Sequence, residues 1–141
     1  SYSAYGEAAM LDLLAQAHGD LAGQRVVVLG AAYRGGVKET AFSGVFATVG
    51  ALRTRGAEVT VDDPMYTDEE LTALGFTPHS AGAEVDAAIL QTDHAEYRAL
   101  TPADLPGVRT FVDGRNVTDA DAWAGVTRRV IGLPQDAEAA R

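Results

Sequence analysis

The sequence predicts an α/β fold: a Rossmann-like, doubly wound, mostly parallel sheet of about five strands with helices on both faces. Three observations predict it. Short apolar runs recur along the chain, of the length and composition of buried parallel strands. Helix-compatible stretches separate them, and that alternation builds a parallel sheet through right-handed crossovers. The stretch RVVVLGAAYRGGVKETAFS, Arg25 to Ser43, has the grammar of a strand, a tight turn and a helix start.

Taken in order, residues 3–17 read as an amphipathic helix with Met10, Leu13, Leu14 and Ala17 on one stripe, closed by Gly19. Strand one is Arg25 to Leu29. A helix is expected from Glu39 to about Arg53, with arginines favouring its C-terminal dipole and Gly56 as a C-cap. Strand two, Glu58 to Val61, is stopped by Asp62, Asp63 and Pro64. Thr67 caps a short helix, Asp68 to Leu74, in a capping-box pattern with Glu70. Phe76 to Pro78 reads as a short strand or a loop. Strand three is Asp86 to Gln91, followed by helical segments at 94–100 and 102–105. Strand four is Arg109 to Val112; a short helix, Asp119 to Ala124, leads to strand five, Thr127 to Ile131. The expectation is one domain over residues 1–141, its α/β core at 24–133 and a polar tail at 134–141.

Composition narrows the function. Twenty acids against eleven lysines and arginines give a net charge of −9. Such a surface repels nucleic acid, and no basic stripe offsets it. Without cysteine there is no disulfide scaffold, no cysteine-rich metal site and no cysteine nucleophile. No apolar run approaches a membrane span, and the N-terminus lacks the pattern of a signal peptide. The expectations are no nucleic-acid and no membrane partner; the absence of cysteine leaves the redox compartment open, and the localisation expected is cytoplasmic.

In doubly wound folds, ligands bind outside the carboxyl ends of the strands, where strand order reverses. Four loops are therefore candidates. The first holds Tyr33, Arg34 and Lys38 after strand one. A helix start there would offer backbone N–H groups to phosphate, with two cations beside it; a bare turn with solvated cations explains the pattern equally well. It is neither a dinucleotide fingerprint, because Ala32 stands where GxGxxG needs glycine, nor a P-loop. In the second loop, Asp62-Asp63-Pro64 reads first as a strand-stop turn, although an acid there can bond a ribose hydroxyl. In the third, Thr92-Asp93-His94 reads as a helix cap through Asp93 before it reads as a catalytic base. In the fourth, Asp113-Gly114-Arg115-Asn116 reads as a surface turn whose arginine can fork onto phosphate. His18 and His79 form no metal pattern. Trp123, Phe42 and Phe46 are expected in the core.

Four motifs taken together carry a resemblance. VLGAAYRGGVKET, GAEVTVDDPMY, DAAILQTDH and FVDGRNV resemble, in this order, the C-terminal domain of the UDP-glucose/GDP-mannose dehydrogenase family. Any one is weak; four in order over nearly the whole chain are specific. The resemblance implies a Rossmann-like domain that grips the nucleotide of a UDP-sugar. Its parent would be an NAD-dependent enzyme oxidising the sugar C6 hydroxyl to a carboxylate in two hydride transfers, through a cysteine-bound intermediate. It implies substrate contacts by Tyr33 and Arg34, where the family usually carries an aromatic and a lysine, and by Arg115 of the DGR turn. Lys38-Glu39 resembles the family's Arg-Glu pair, in a shorter loop. The VKET form is similar to members acting on 2-acetamido sugars.

The resemblance also implies what lies elsewhere. This chain has no cysteine and no GxGxxG, so NAD and catalysis are expected in N-terminal and central domains of a homo-oligomeric parent. This chain alone is then expected to be inactive, with no catalytic, cofactor-binding or metal residue of its own. Two other readings stand beside it: a stand-alone flavodoxin-like ligand-binding or regulatory module, and a small hydrolase using His94 and Asp93.

Overall fold

The computed structural model describes residues 4–32, 34–40 and 43–131. Five strands, β1 (Arg25–Leu29), β2 (Glu58–Asp62), β3 (Ala87–Leu90), β4 (Thr110–Asp113) and β5 (Thr127–Val130), form one sheet in the order β2-β1-β3-β4-β5. Every pairing is parallel. The chain winds outward from β1 to β2, returns past β1 to β3, and continues to β4 and β5. The reversal lies between β1 and β3, as in flavodoxin-like sheets.

Alternation along the strands makes two cores. Val26, Val28, Ala87, Ile89 and Val112 face α1 (Ala4–His18), α2 (Val45–Thr54) and Leu71 of α3 (Asp68–Ala73). Val27, Leu29, Ala88, Leu90 and Phe111 face the other way. That second face is covered by 3₁₀ turns at Ala95–Ala99, Pro102–Asp104 and Ala120–Trp123. Its anchor is Trp123, stacked on Phe111 with centroids 4.0 Å apart and donating its indole N–H to Leu100 O at 3.2 Å.

Strand one and the capping box of Thr67 and Glu70 stand as the sequence places them. Gly56 follows α2 at φ 86°, the left-handed geometry that ends a helix. Phe76 to Pro78 resolves as a bridge: Val61 N–H donates to Thr77 O and His79 N–H to Val61 O, extending the β2 edge.

Three expectations are corrected. The helix expected from Glu39 begins at Val45. Lys38 is tied to Glu70, and Gly44, the N-cap, packs so closely on Glu7 that a Cβ would collide. These tertiary ties outweigh local propensity. Asp93 does not cap the turn at Ala95–Ala99; His94 holds the N-cap position and makes no side-chain capping bond there. Phe46 is 42% exposed, its ring tilted on Phe76 at 4.9 Å, instead of core. Phe42, Tyr33 and the tail 134–141 lie outside the described residues.

Candidate functional site

The site is built where β1, β3 and β4 end side by side. Gly30 turns the chain out of β1 at φ 110°, with Thr92 packed where any Cβ would sit. Its N–H donates to Asp62 O at 2.6 Å, and the Thr92 hydroxyl donates to Ala32 O at 2.7 Å. The loops after β1, β2 and β3 are thereby joined at the backbone.

Four of the loop N–H groups are turned onto side chains of the neighbouring loops. Ala31 and Ala32 donate to Asp63 Oδ2 at 2.8 and 3.3 Å, while Met65 N–H donates to Oδ1 at 2.8 Å. Gly35 N–H donates to Asp93 Oδ1 at 2.5 Å. Gly36 N–H donates to His94 Nδ1 at 3.0 Å, and His94 Nε2–H donates to Asp63 Oδ2 at 2.8 Å. Because Gly36 N–H can only donate, Nδ1 must be the bare nitrogen and Nε2 the protonated one. Both side chains are out of solvent, at 1% and 0% exposure. The start of α2 is faced by the Glu7 carboxylate rather than left open, and burial pushes that carboxyl up. Four N–H groups of the loop expected to cradle phosphate, those of Ala31, Ala32, Gly35 and Gly36, are thus taken by the protein's own acceptors.

The β4 turn comes in from the other side. Asp113 is buried and accepts Arg115 N–H at Oδ1, and Val117 N–H, Thr118 N–H and the Thr118 hydroxyl at Oδ2. Asn116 takes φ 55°, a left-handed position that asparagine tolerates. So held, Arg115 reaches across and donates to Asp93 Oδ2 at 3.3 Å. Burial is the largest influence on the Asp93 carboxyl and raises it. The Gly35 N–H and the Arg115 charge outweigh burial together with smaller contributions and hold the carboxyl below its ordinary range.

Of the site residues expected from sequence, Arg115 is brought onto the β1 loop through Asp93, and Arg34 lies exposed in that loop. Tyr33 is outside the described residues. Lys38 turns toward α3, its ammonium 2.5 Å from Glu70 Oε2 and 5.3 Å above the Tyr66 ring. Any anion drawing on Lys38 must compete with Glu70.

Residues 27–120 match the UDP-binding domain of the UDP-glucose/GDP-mannose dehydrogenase family. The chain belongs to this family. It is 35% identical over 114 residues to UDP-glucose 6-dehydrogenase AglM of Haloferax volcanii, covering 77% of this chain and 26% of that protein. It is 32% identical over 132 residues to the UDP-glucose 6-dehydrogenase of Rhizobium meliloti, covering 86% and 30%. The chain thus spans less than a third of the length of these curated relatives. Among solved structures it superposes on a UDP-glucose dehydrogenase from Pyrobaculum islandicum with TM-score 0.68 at 28% identity, covering 85% of this chain and 30% of that one. A UDP-N-acetyl-mannosamine dehydrogenase from Staphylococcus aureus shares the fold, with TM-score 0.70 at 23% identity over 89% of this chain and 30% of that one.

Asp63, placed where an acid would bond a ribose in a dinucleotide fold, has its carboxylate turned onto the N–H groups of Ala31 and Ala32, while those of Gly35 and Gly36 meet Asp93 and His94. The surroundings of His94 do not suit a hydrolase. Both nitrogens of buried His94 have protein partners, and the acid on its ring is Asp63, not Asp93. Among the described residues no three histidines or acids gather to hold a metal, and no helix is long and apolar enough to cross a membrane. A cavity of about 560 Å³ on the second face, lined by Leu29, Asp62, His79, Glu96, Tyr97 and Leu105 among others, includes neither Arg34 nor Arg115. Gln91, 3% exposed at the end of β3, has neither amide atom hydrogen-bonded.

The sequence places Asp63, Asp93 and His94 in the candidate loops but favours turn and cap roles for them. The structure makes them the acceptors and the link that hold the β1 loop.

Proposed function

We propose that this domain holds the UDP portion of a nucleotide sugar for an NAD-dependent 6-dehydrogenase that converts the sugar C6 hydroxyl to a carboxylate. The observation that carries the reading is the meeting of Arg115 with the β1 loop at the strand-order reversal, through Asp93 at 3.3 Å. Two cation-bearing loops converge where doubly wound folds take ligands.

With the N–H groups of Ala31, Ala32, Gly35 and Gly36 engaged, the diphosphate is held chiefly by side-chain cations. Arg34 and Arg115 supply planar donors, and Arg115 reaches in from a fixed turn. Tyr33 positions the nucleotide. Lys38 contributes once it leaves Glu70. The domain's part is to anchor the substrate away from the reacting carbon, so that binding energy orients C6. The cysteine, the NAD site and the hydride steps belong to other domains of a cytoplasmic, homo-oligomeric parent, and this chain alone is inactive.

Titration with UDP and GDP, followed by calorimetry and NMR, tests this. Saturable UDP binding that shifts Arg34 and Arg115 signals, and is lost in Arg34→Ala and Arg115→Ala with folding intact, supports the reading. Silence at millimolar nucleotide in both this chain and its full-length parent removes it.

A further inference from the structure

We propose that His94 is a positioning residue: in its Nε2–H form it locks the β1 loop in the shape that presents Arg34 to the nucleotide. The inference rests on the UDP-binding reading above and extends it to a buried residue beneath the loop.

The argument begins with the pins on the loop. On one side, Ala31 and Ala32 are held by Asp63. On the other, Gly35 is held by Asp93 and Gly36 by His94. The two residues between these pins are Tyr33 and Arg34, the pair that resembles the family's nucleotide contacts. The pins are themselves coupled, since one Asp63 oxygen accepts from Ala31, from Ala32 and from His94 Nε2. His94 therefore connects the incoming and outgoing arms of the loop through one ring. Its orientation is fixed by Asp63 at 2.8 Å and by the edge of the Tyr97 ring, centroids 5.8 Å apart. Tyr97 is set in turn by donating its hydroxyl to Asp62 Oδ2 at 2.8 Å. Burial, foremost, and the neighbouring Asp62 push the Tyr97 phenol far up, so it remains a donor.

Only one tautomer does this. A proton on Nδ1 would set two donors face to face at Gly36, and a bare Nε2 would set two acceptors face to face at Asp63. A loop ordered before the ligand arrives loses less entropy on binding, so a broken lock weakens affinity from beneath the loop.

Two substitutions separate the halves of the ring. In His94→Asn the side-chain carbonyl falls near the Nδ1 position and can still accept from Gly36. In His94→Gln the amide falls near Nε2 and can still donate to Asp63, but Gly36 loses its acceptor. Three readouts are taken: imidazole ¹⁵N shifts of the unaltered chain, Gly36 amide exchange, and UDP affinity. The expected result is an Nε2–H imidazole at neutral pH. His94→Gln should lose roughly tenfold in Gly36 protection and in UDP affinity, with His94→Asn recovering most of both. An Nδ1–H imidazole, or wild-type protection and affinity in His94→Gln, overturns the proposal. Should both variants fail to fold, the imidazole shifts and Gly36 exchange of the unaltered chain still decide the lock. Should the unaltered chain show the expected tautomer and protection yet bind no UDP, the nucleotide reading falls and the role in binding falls with it.

Discussion

Arg115 and Asp93 meet at 3.3 Å, and through that contact the loop after β4 reaches the loop after β1, because the other Asp93 oxygen accepts from Gly35. Truncating Arg115 removes a directed cation without touching the sheet. Arg115→Ala should weaken UDP binding by about tenfold or more and leave the unfolding midpoint nearly unchanged. Calorimetry with UDP beside a thermal melt checks both. Arg115→Lys should recover only part of the loss, since a point charge does not reproduce the planar fork.

Asp63 accepts four hydrogen bonds beneath the site. Asp63→Ala strands the N–H groups of Ala31 and Ala32 and the His94 Nε2–H in a buried setting and releases the part-buried N–H of Met65. The expected cost is about 3 kcal/mol of stability, read as a lower urea midpoint with an unchanged slope.

Gly35 lies against the Asp93 backbone carbonyl, with no room for a Cβ. Gly35→Ala should push the two loops apart, break the Gly35 to Asp93 hydrogen bond and abolish measurable UDP binding. Because the strands are untouched, far-UV circular dichroism should stay as in the unaltered chain. Wild-type affinity in this variant would show that the close approach of the two loops is unnecessary.

A different carboxylate gives a pH-dependent contribution to stability. Asp86 accepts from the Arg25 side chain, from the Arg25 backbone N–H at 2.8 Å, and from Arg109 at 3.3 Å. The Arg25 side-chain hydrogen bonds, foremost, hold its carboxyl down at about 2 against the opposing effect of burial. A folded value lowered in this way stabilises the ionised form. The contribution is complete above the unfolded value of about 3.9 and is lost as the pH falls through about 2. Both arginines are roughly half exposed, which screens the pair. Asp86→Asn should therefore cost about 1–2 kcal/mol at neutral pH and almost nothing at pH 2. Urea unfolding at stepped pH values measures the convergence.

Lys38 and Glu70 are both substantially exposed. Lys38→Ala should move stability by no more than about 0.5 kcal/mol. It should also lower UDP affinity less than Arg115→Ala does, because Lys38 must first leave Glu70. A drop equal to that of Arg115→Ala would mean that the Glu70 contact gives way readily to the nucleotide.

The strands were legible because their signal is local. Val26 to Leu29 and Ala87 to Leu90 are continuous apolar runs, and such runs suit only positions covered on both faces. Thr67 and Glu70 announced their helix for the same reason, since a capping box is completed within four residues. Arg115 by its own pattern reads as a surface turn and is singled out only by the resemblance of its DGR turn to the family's. The start of α2 was not legible: Lys38 and Glu39 favour helix locally, and what prevents it is Glu70 on another helix and Glu7 on a third. Phe46 failed similarly, since its helical spacing suits a core that does not extend over it.

By itself the sequence determined the five strands, their parallel assembly and the family, because hydrophobic runs, turn residues and motif order are written along the chain. Only the tertiary structure decided the character of the site. Asp63, Asp93 and His94 each allow a bland local role. Bringing the ends of β1, β2 and β3 together turns them onto the loop N–H groups, across sequence separations of 31 to 58 residues. A buried carboxylate needs donors and a buried N–H needs an acceptor, and which of them find each other is settled by the packing of the strand ends.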